Sequence, residues 1–291
     1  MSRSPLVTIG LPVYNSERFL RQSIDSLLAQ TFRDFVLVIN DNASTDSTAA
    51  ICQEYAAADS RVKYHRNVVN IGNPRNFNRV FELTTTPYLK WSTSDDWWKP
   101  EFLDRAMEVM EREPDVALCY PKACLVDADG GNVRPYDDVL HLVQDDPAER
   151  FLALVGSIKL VHQHLGVIRA SCLRRTQLLG VHLGSDFNLL AELSLYGKFY
   201  ELPGEPLFYR RFHDKSGSWK RADPKHAAKH YHGAGKDRRR TKWPGHVGLL
   251  KAVGRAPIPL GSKARLYPYL LRRMVWDRAE LWAELRMPTG A

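Results

Sequence analysis

Short apolar runs alternate with stretches of helical spacing over the first 112 residues. Leu6-Val-Thr-Ile-Gly-Leu11 is one such run, stopped by Pro12. Ser16 then stands as the N-cap of a segment whose Leu20, Ile24, Leu27 and Leu28 share a helical face. Phe35-Val-Leu-Val-Ile39 has no polar position, as in strands covered on both faces, and ends at Asn40-Asp41-Asn42 before an Ala-rich helix near residues 46–58. Val62-Lys-Tyr-His65 precedes a third helix around 74–84. Tyr88–Trp91 precedes a fourth that begins at Pro100, with Phe102, Leu103, Ala106, Val109 and Met110 on one side. Four strand–helix units predict a mostly parallel sheet flanked by helices, and such sheets bind ligands beyond the carboxyl ends of their strands. Tyr14-Asn15, Asp41 and the adjacent Asp95-Asp96 all fall there.

From about residue 115 the pattern changes. Val116–Tyr120 and Cys124–Val126 lead to a turn at Asp129-Gly-Gly-Asn132, Asp146-Pro147 starts a helix through Leu154, and His164–Ile168 reads as one buried strand. Gly184-Ser185-Asp186 opens a helical run from Phe187 to Leu195, Gly197 stops it, and strands follow at 199–202 and 207–212. Residues 213–221 have the chemistry of a mobile flap around Trp219. Helices near 245–253 and 262–286, divided by Pro257 and Pro259, close the chain. The expected organisation is a first half over 1–112, a second over 113–218, and a basic helical extension over 219–291.

The 291 residues, 44% hydrophobic and 25% charged, describe a soluble globular protein. No apolar run approaches the roughly 18 residues that cross a bilayer, and no signal-peptide pattern opens the chain, so the cytoplasm is the expected compartment. Cys52, Cys119, Cys124 and Cys172 form no C-x-x-C pair and read as reduced thiols. The net charge of +8 is unevenly placed. Residues 1–209 hold 21 Lys/Arg against 27 Asp/Glu, whereas residues 210–291 hold 20 against 6. A tail of that charge suits an anionic partner, and nucleic acid, acidic lipid and a phosphorylated substrate all qualify.

Asp95-Asp96 sits where a strand ends and a helix begins. Carboxylate oxygens are preferred ligands of Mg²⁺ and Mn²⁺, which commonly bind through one or two carboxylates plus substrate phosphates. The plainer alternative is a solvated turn or helix cap.

With these segments in view, the chain resembles the family 2 glycosyltransferases of the GT-A fold. The likeness lies in Val7-Thr-Ile-Gly-Leu-Pro-Val-Tyr-Asn15, Gln30-Thr-Phe32, Asn40-Asp-Asn-Ala-Ser-Thr-Asp46, Ser94-Asp-Asp-Trp-Trp-Lys-Pro100, Ser185-Asp186 and Tyr209-Arg-Arg-Phe-His213. It runs from about residue 6 to 218 and implies that the first half, 1–112, is a Rossmann-like nucleotide-binding half and the second, 113–218, an acceptor-binding half, in one α/β domain. It further implies an inverting, single-sugar transfer from a nucleotide-sugar, with a UDP-sugar favoured. Pro12, Tyr14 and Asn15 would lie along the nucleotide, Tyr14 against the base and Asp41 hydrogen-bonded to it. Asp95 would lie near the ribose and Asp96 on Mn²⁺ or Mg²⁺. Asp186 would be the base, with a helix N-cap as its plain alternative, and His213 would touch the diphosphate or metal. Asn40 and Thr93 stand where many members carry acids, which leaves fewer carboxylates for the cation. The signature of processive polysaccharide synthases is missing after Asp186.

Asn70 and Arg75, in an amide-rich segment at a strand end, are further candidates for the base or phosphates, or ordinary caps. Trp97-Trp98 could line the sugar site or enter the core. His226, His230 and His232 lack an acidic companion and make a poor metal site. Arg238-Arg-Arg240 with Lys242 reads as a solvated face or as a peripheral landing patch, spanning 236–242, for an acidic membrane at the inner face. The acceptor is a glycan, lipid-linked or small molecule. The competing class is a nucleic-acid or acidic-membrane binding protein led by its tail, but no nucleic acid is expected because that reading leaves the strand-end acids unused. No G-x-G-x-x-G follows a strand, so a dinucleotide enzyme is not indicated.

Overall fold

β1 (Val7–Val13) is buried at every position because it runs through the middle of a sheet, between β2 (Phe35–Asp41) and β4 (Tyr88–Trp91). The computed structural model describes residues 5–136, 140–213 and 242–286. The flap beyond His213, the three histidines at 226–232 and the basic run at 236–241 lie outside the described residues.

Seven strands form the main sheet in the order β10-β6-β9-β4-β1-β2-β3, with β3 at Val62–Arg66, β6 at Val116–Pro121, β9 at Val167–Arg169 and β10 at Lys198–Leu202. β4, β1, β2 and β3 are mutually parallel, and Val7 aligns with both Phe35 and Tyr88. β9 runs antiparallel to β4 and β6 and joins the two halves of the chain across one sheet. The connecting helices are α1 (Leu20–Leu28), α2 (Thr48–Ala58), α3 (Asn73–Glu82) and α4 (Phe102–Arg112). They bury Leu20, Ile24 and Leu27, Ile51, Val80, and Phe102, Leu103 and Ala106, one apolar stripe each. Fold class and the parallel first half are as the periodicity predicts.

A smaller sheet, β5-β11-β7-β8, lies beyond: β5 is Trp97–Trp98, β7 Ala123–Val126, β8 Arg134–Tyr136 and β11 Phe208–Arg211. β5 pairs antiparallel with β11, so the residues that follow the Asp pair are tied to the last strand of the domain. α5 (Pro147–Ser157) is capped by Asp146, whose Oδ1 accepts from Ala148 N at 2.9 Å. α6 is Ala170–Leu173 and α7 is Ser185–Leu193. The C-terminal helices are α8 (Lys242–Arg255), α9 (Leu260–Trp276) and α10 (Arg278–Arg286).

Local corrections follow from hydrogen bonding. Ser16 does not cap α1; its Oγ donates to Tyr14 O in the preceding loop. α4 starts at Phe102, two residues past Pro100. His164–Ile168 is not one strand, because Leu165 N and Gly166 N bond back to His162 O and Gln163 O and wind Gln163–Leu165 into a 3-10 turn. β9 begins only after Gly166, where a Cβ would stand 2.4 Å from Cys119 O.

Candidate active site

The β1–α1 and β2–α2 loops are stapled to each other at the carboxyl edge of the sheet. Asn15, at φ 48°, donates from its backbone N to Ser44 Oγ at 3.0 Å, and its Oδ1 accepts from Thr45 N at 2.8 Å. Asp41, the last residue of β2, is fully buried. Its Oδ1 accepts from Ser44 N and its Oδ2 from Tyr64 Oη and Arg66 Nη1, each at 2.8 Å. Tyr14 projects from the same loop with 36% of its surface open, available to stack on a planar base. Behind this edge lies an amide network. Asn40 Nδ2 donates to Asn76 Oδ1 at 2.6 Å, Asn67 Nδ2 to Asn42 Oδ1 at 3.0 Å, and Asn42 Nδ2 to Asn70 Oδ1 at 2.9 Å. Asn40 Nδ2 donates to both Asn76 Oδ1 and Asn67 Oδ1, which an ionised aspartate could not do. Asn70 Oδ1 also accepts from Gly72 N at 2.9 Å, and Arg75 is exposed with Nη1 donating to Ile71 O.

Across the edge, the Asp pair is fixed from β11. Arg211 N donates to Asp96 Oδ1 at 2.7 Å, and Arg211 Nε donates to Asp95 O at 2.9 Å. The same guanidinium bonds Gln22 and lies over the Phe19 ring at 4.2 Å and the Trp97 ring at 4.8 Å. Asp96 Oδ2 accepts from Thr93 Oγ1. His213 Nε2 meets Asp95 Oδ2 at 3.0 Å, with its ring 5.0 Å from Phe19. Asp96 is buried, and burial together with the neighbouring charge of Asp95 pushes its carboxyl up to about 7. Lys90 is fully buried beneath, its Nζ 3.5 Å from the Trp98 ring centre, and burial drives it well below the usual lysine range. Trp98 packs in the core on Phe208 and Phe102, while Trp97 stacks on Tyr209 at 5.1 Å. We expect Lys90→Met to raise stability by about 1–3 kcal/mol, because a buried amine gives way to an apolar chain of similar length. A higher urea midpoint at unchanged slope is the readout.

A second group is built around α7. Gly184, at φ 81°, turns the chain into the helix and occupies its N-cap position, so Asp186 lies in the first turn with Oδ1 accepting from Phe187 N at 2.9 Å. The loop before it is clamped to α3 by a two-bond exchange: Asn78 Nδ2 donates to Leu179 O and Leu179 N to Asn78 Oδ1. His164 and His182 face Asp186 electrostatically. Burial holds both imidazoles below the usual histidine range, the Asp186 charge opposes it, and for His164 the charge of Arg210 adds to the lowering. His164 Nδ1 and His182 Nε2 are buried without a hydrogen-bond partner. The Arg210 charge also works against the rise of the Asp96 carboxyl.

Residues 8–151 match the glycosyl transferase family 2 model. The chain carries a family 2 glycosyltransferase domain. This domain is 27% identical over 134 residues to the uncharacterized glycosyltransferase MJ1057 of Methanocaldococcus jannaschii, which is 45% of this chain and 46% of that protein. The chain spans less than half the length of the first curated relatives it matches. S. aureus TarS 1–349, solved in complex with UDP, superposes with a TM-score of 0.67 at 17% identity over 97% of this chain and 75% of its own. PcManGT of Pyrobaculum calidifontis, a mannosyltransferase solved with GDP-Man and Mn²⁺, gives 0.54 at 15% identity over 97% and 84%. The family 2 domain therefore has the GT-A fold.

At the carboxyl edge of the sheet, residues expected from sequence form two groups: Tyr14, Asn15 and Asp41 on one side, and Asp95 and Asp96 on the other, joined there by His213 from beyond the family 2 match. Among the described residues no three His, Cys, Asp or Glu side chains converge as a cation cage. The donor chemistry nonetheless suits a hard divalent ion. Asp96 is buried beside Asp95, whose Oδ2 meets His213 Nε2, and adjacent carboxyls with an imidazole are donors that Mg²⁺ or Mn²⁺ accepts. Sequence reading missed Tyr64, Arg66, Arg211, His164 and His182. Arg66 was open to discovery, since it stands directly opposite Asp41 in the β2–β3 register.

Proposed function

We propose that this protein is an inverting, divalent-metal-dependent glycosyltransferase that moves one sugar from a nucleotide-sugar, UDP-linked by preference, to an acceptor hydroxyl. The observation that carries this reading is the meeting of strand ends at one edge: Tyr14 and Asn15 follow β1, Asp41 closes β2, and Asp95-Asp96 follow β4 and are held by Arg211 of β11. A donor laid from Tyr14 across the Asp pair would place its sugar between Asp96 and Asp186. Family membership and the UDP-bound and Mn²⁺-bound structural neighbours support it.

Each residue then has a physical task. Tyr14 stacks on the base, and Asp41, held in place by Ser44, Tyr64 and Arg66, lies beside it. Asp95 lies toward the ribose, and Asp96 with His213 would hold the cation. When bound, the metal supplies positive charge against the departing diphosphate. Arg211 keeps Asp96 in register through its backbone N–H, and Arg210 adds a fixed positive charge beside the leaving group. Asp186 accepts the acceptor hydroxyl's proton on the opposite face. The neutral imidazoles of His164 and His182 do not neutralise it and offer hydrogen-bonding nitrogens to a polyhydroxyl acceptor. Lipid-linked, glycan and small-molecule acceptors all fit that chemistry.

The test is a thermal-shift panel of nucleotides and nucleotide-sugars, each with and without Mn²⁺. We expect one nucleoside diphosphate and its sugar to raise the melting temperature only when metal is present, by the amount ligand linkage requires. No shift with any of them would sink the reading.

A further inference from the structure

We propose that the outer face of α9 and α10 is a docking surface for an anionic lipid bilayer. Helical hydrogen bonding runs through the junction at Asp277, whose N bonds to Arg273 O and whose O receives Leu281 N, both at 3.0 Å. Leu271, Val275, Arg278, Trp282 and Leu285 follow one another at steps of four, three, four and three residues, so they share a face. The opposite face, with Leu266, Leu270, Leu281 and Glu284, is buried against the protein. The outer apolar side chains are open instead: Leu271 54%, Val275 57%, Trp282 61% and Leu285 45%; Trp276, 62% open, lies about 100° around the helix from Val275. A helix pair that is apolar on both sides needs a second apolar environment for the outer one.

Charge identifies that environment. Residues 242–286 hold nine Lys/Arg against three Asp/Glu. All three acids are paired within the protein, Glu284 buried, Asp277 half-buried and Glu280 exposed. Glu284 accepts from Lys242 N and Trp243 N at the start of α8, Asp277 meets His246 at 2.9 Å, and Glu280 pairs with Lys242. Arg272, Arg278 and Arg286 are left on the open side, Arg272 lying 5.1 Å from the Trp276 ring and 5.9 Å from the Tyr269 ring. Open Trp and Leu side chains interleaved with arginines suit the headgroup level of a bilayer, where rings sit between water and acyl chain and guanidiniums meet phosphates. A second copy of this face would set the same positive charge against itself, which favours lipid as the occupant. Contact is peripheral, because no described helix is long and apolar enough to cross a membrane.

The proposal stands independently of the glycosyl-transfer reading and is tested without turnover. The full chain is sedimented with vesicles of phosphatidylcholine alone or mixed with phosphatidylglycerol. We expect salt-sensitive binding to the mixed vesicles, reduced at least about tenfold by L271E/W282E and by R272E/R278E/R286E at unchanged melting temperature. Brominated lipid in the mixed vesicles should quench wild-type fluorescence, and W276F/W282F should lose that quenching while still binding. Absence of binding, or binding by L271E/W282E equal to wild type, would overturn the proposal. So would a concentration-dependent dimer in light scattering that L271E/W282E abolishes, since the occupant would then be a second copy.

Discussion

Asp186→Asn is expected to leave the metal-dependent donor shift intact while lowering sugar transfer about 10²- to 10⁴-fold, the usual weight of a positioned general base. Asparagine keeps the Oδ1 that accepts from Phe187 N, so the first turn of α7 should form as before. What it loses is the ability to take a proton. The clamp from Asn78 to Leu179, the left-handed Gly184 and the flanking His164 and His182 remain, and the acceptor still has a place to bind. The separation of effects is therefore diagnostic. Turnover should fall with little change in the KM for donor, and the acidic limb of the pH–rate profile should flatten. If Asp186→Asn turned over at the wild-type rate, Asp186 would be a first-turn residue that merely favours the helix dipole.

Chain segments whose environment repeats along one element were legible in the sequence; contacts made by distant partners were not. Phe35–Ile39 shows its position in the sheet directly, since only a strand covered on both faces reads as unbroken apolar residues. Lys90 carries no such signal. A lysine between Leu89 and Trp91 does not announce burial, yet β4 lies between β1 and β9 and Lys90 is fully buried. The Asp pair could be placed at a strand end, but its anchor could not: Arg211 lies on β11, and its bonds to Asp95 and Asp96 exist only because β11 pairs with β5. Asn40 could be seen as a departure from an acidic position. That it completes an amide network with Asn67 and Asn76 depended on three separate segments meeting. His164–Ile168 was misread because apolar periodicity does not distinguish a strand from a 3-10 turn that leads into one.

Asp96→Asn is expected to abolish the metal-dependent shift and lower transfer by about 10²- to 10⁴-fold, the equivalent of several kcal/mol of leaving-group stabilisation. It should also make the free protein more stable near neutral pH. Asp96 has its carboxyl raised by burial and by Asp95 to about 7, so between roughly pH 4 and 7 the folded protein holds a proton that the unfolded chain has released. With more protons bound in the native state, stability falls as pH rises through that window, by at most about 1.4 kcal/mol per unit from this group, and levels off above 7. Asparagine removes the titration, and its Oδ1 and Nδ2 can meet Arg211 N and Thr93 Oγ1 as the carboxyl does. The stability gap between variant and wild type should thus be near zero at pH 4 and widest at pH 7 and above, as read by urea midpoints. Cation binding has the complementary dependence. Below pH 7 the ion must displace the Asp96 proton, so the apparent Mn²⁺ affinity measured with the donor diphosphate should weaken about tenfold per unit as pH falls. A wild-type profile flat from pH 5 to 8 in both measurements would show that Asp96 neither carries that proton nor holds the metal. The site would then have to centre on Asp95 and His213.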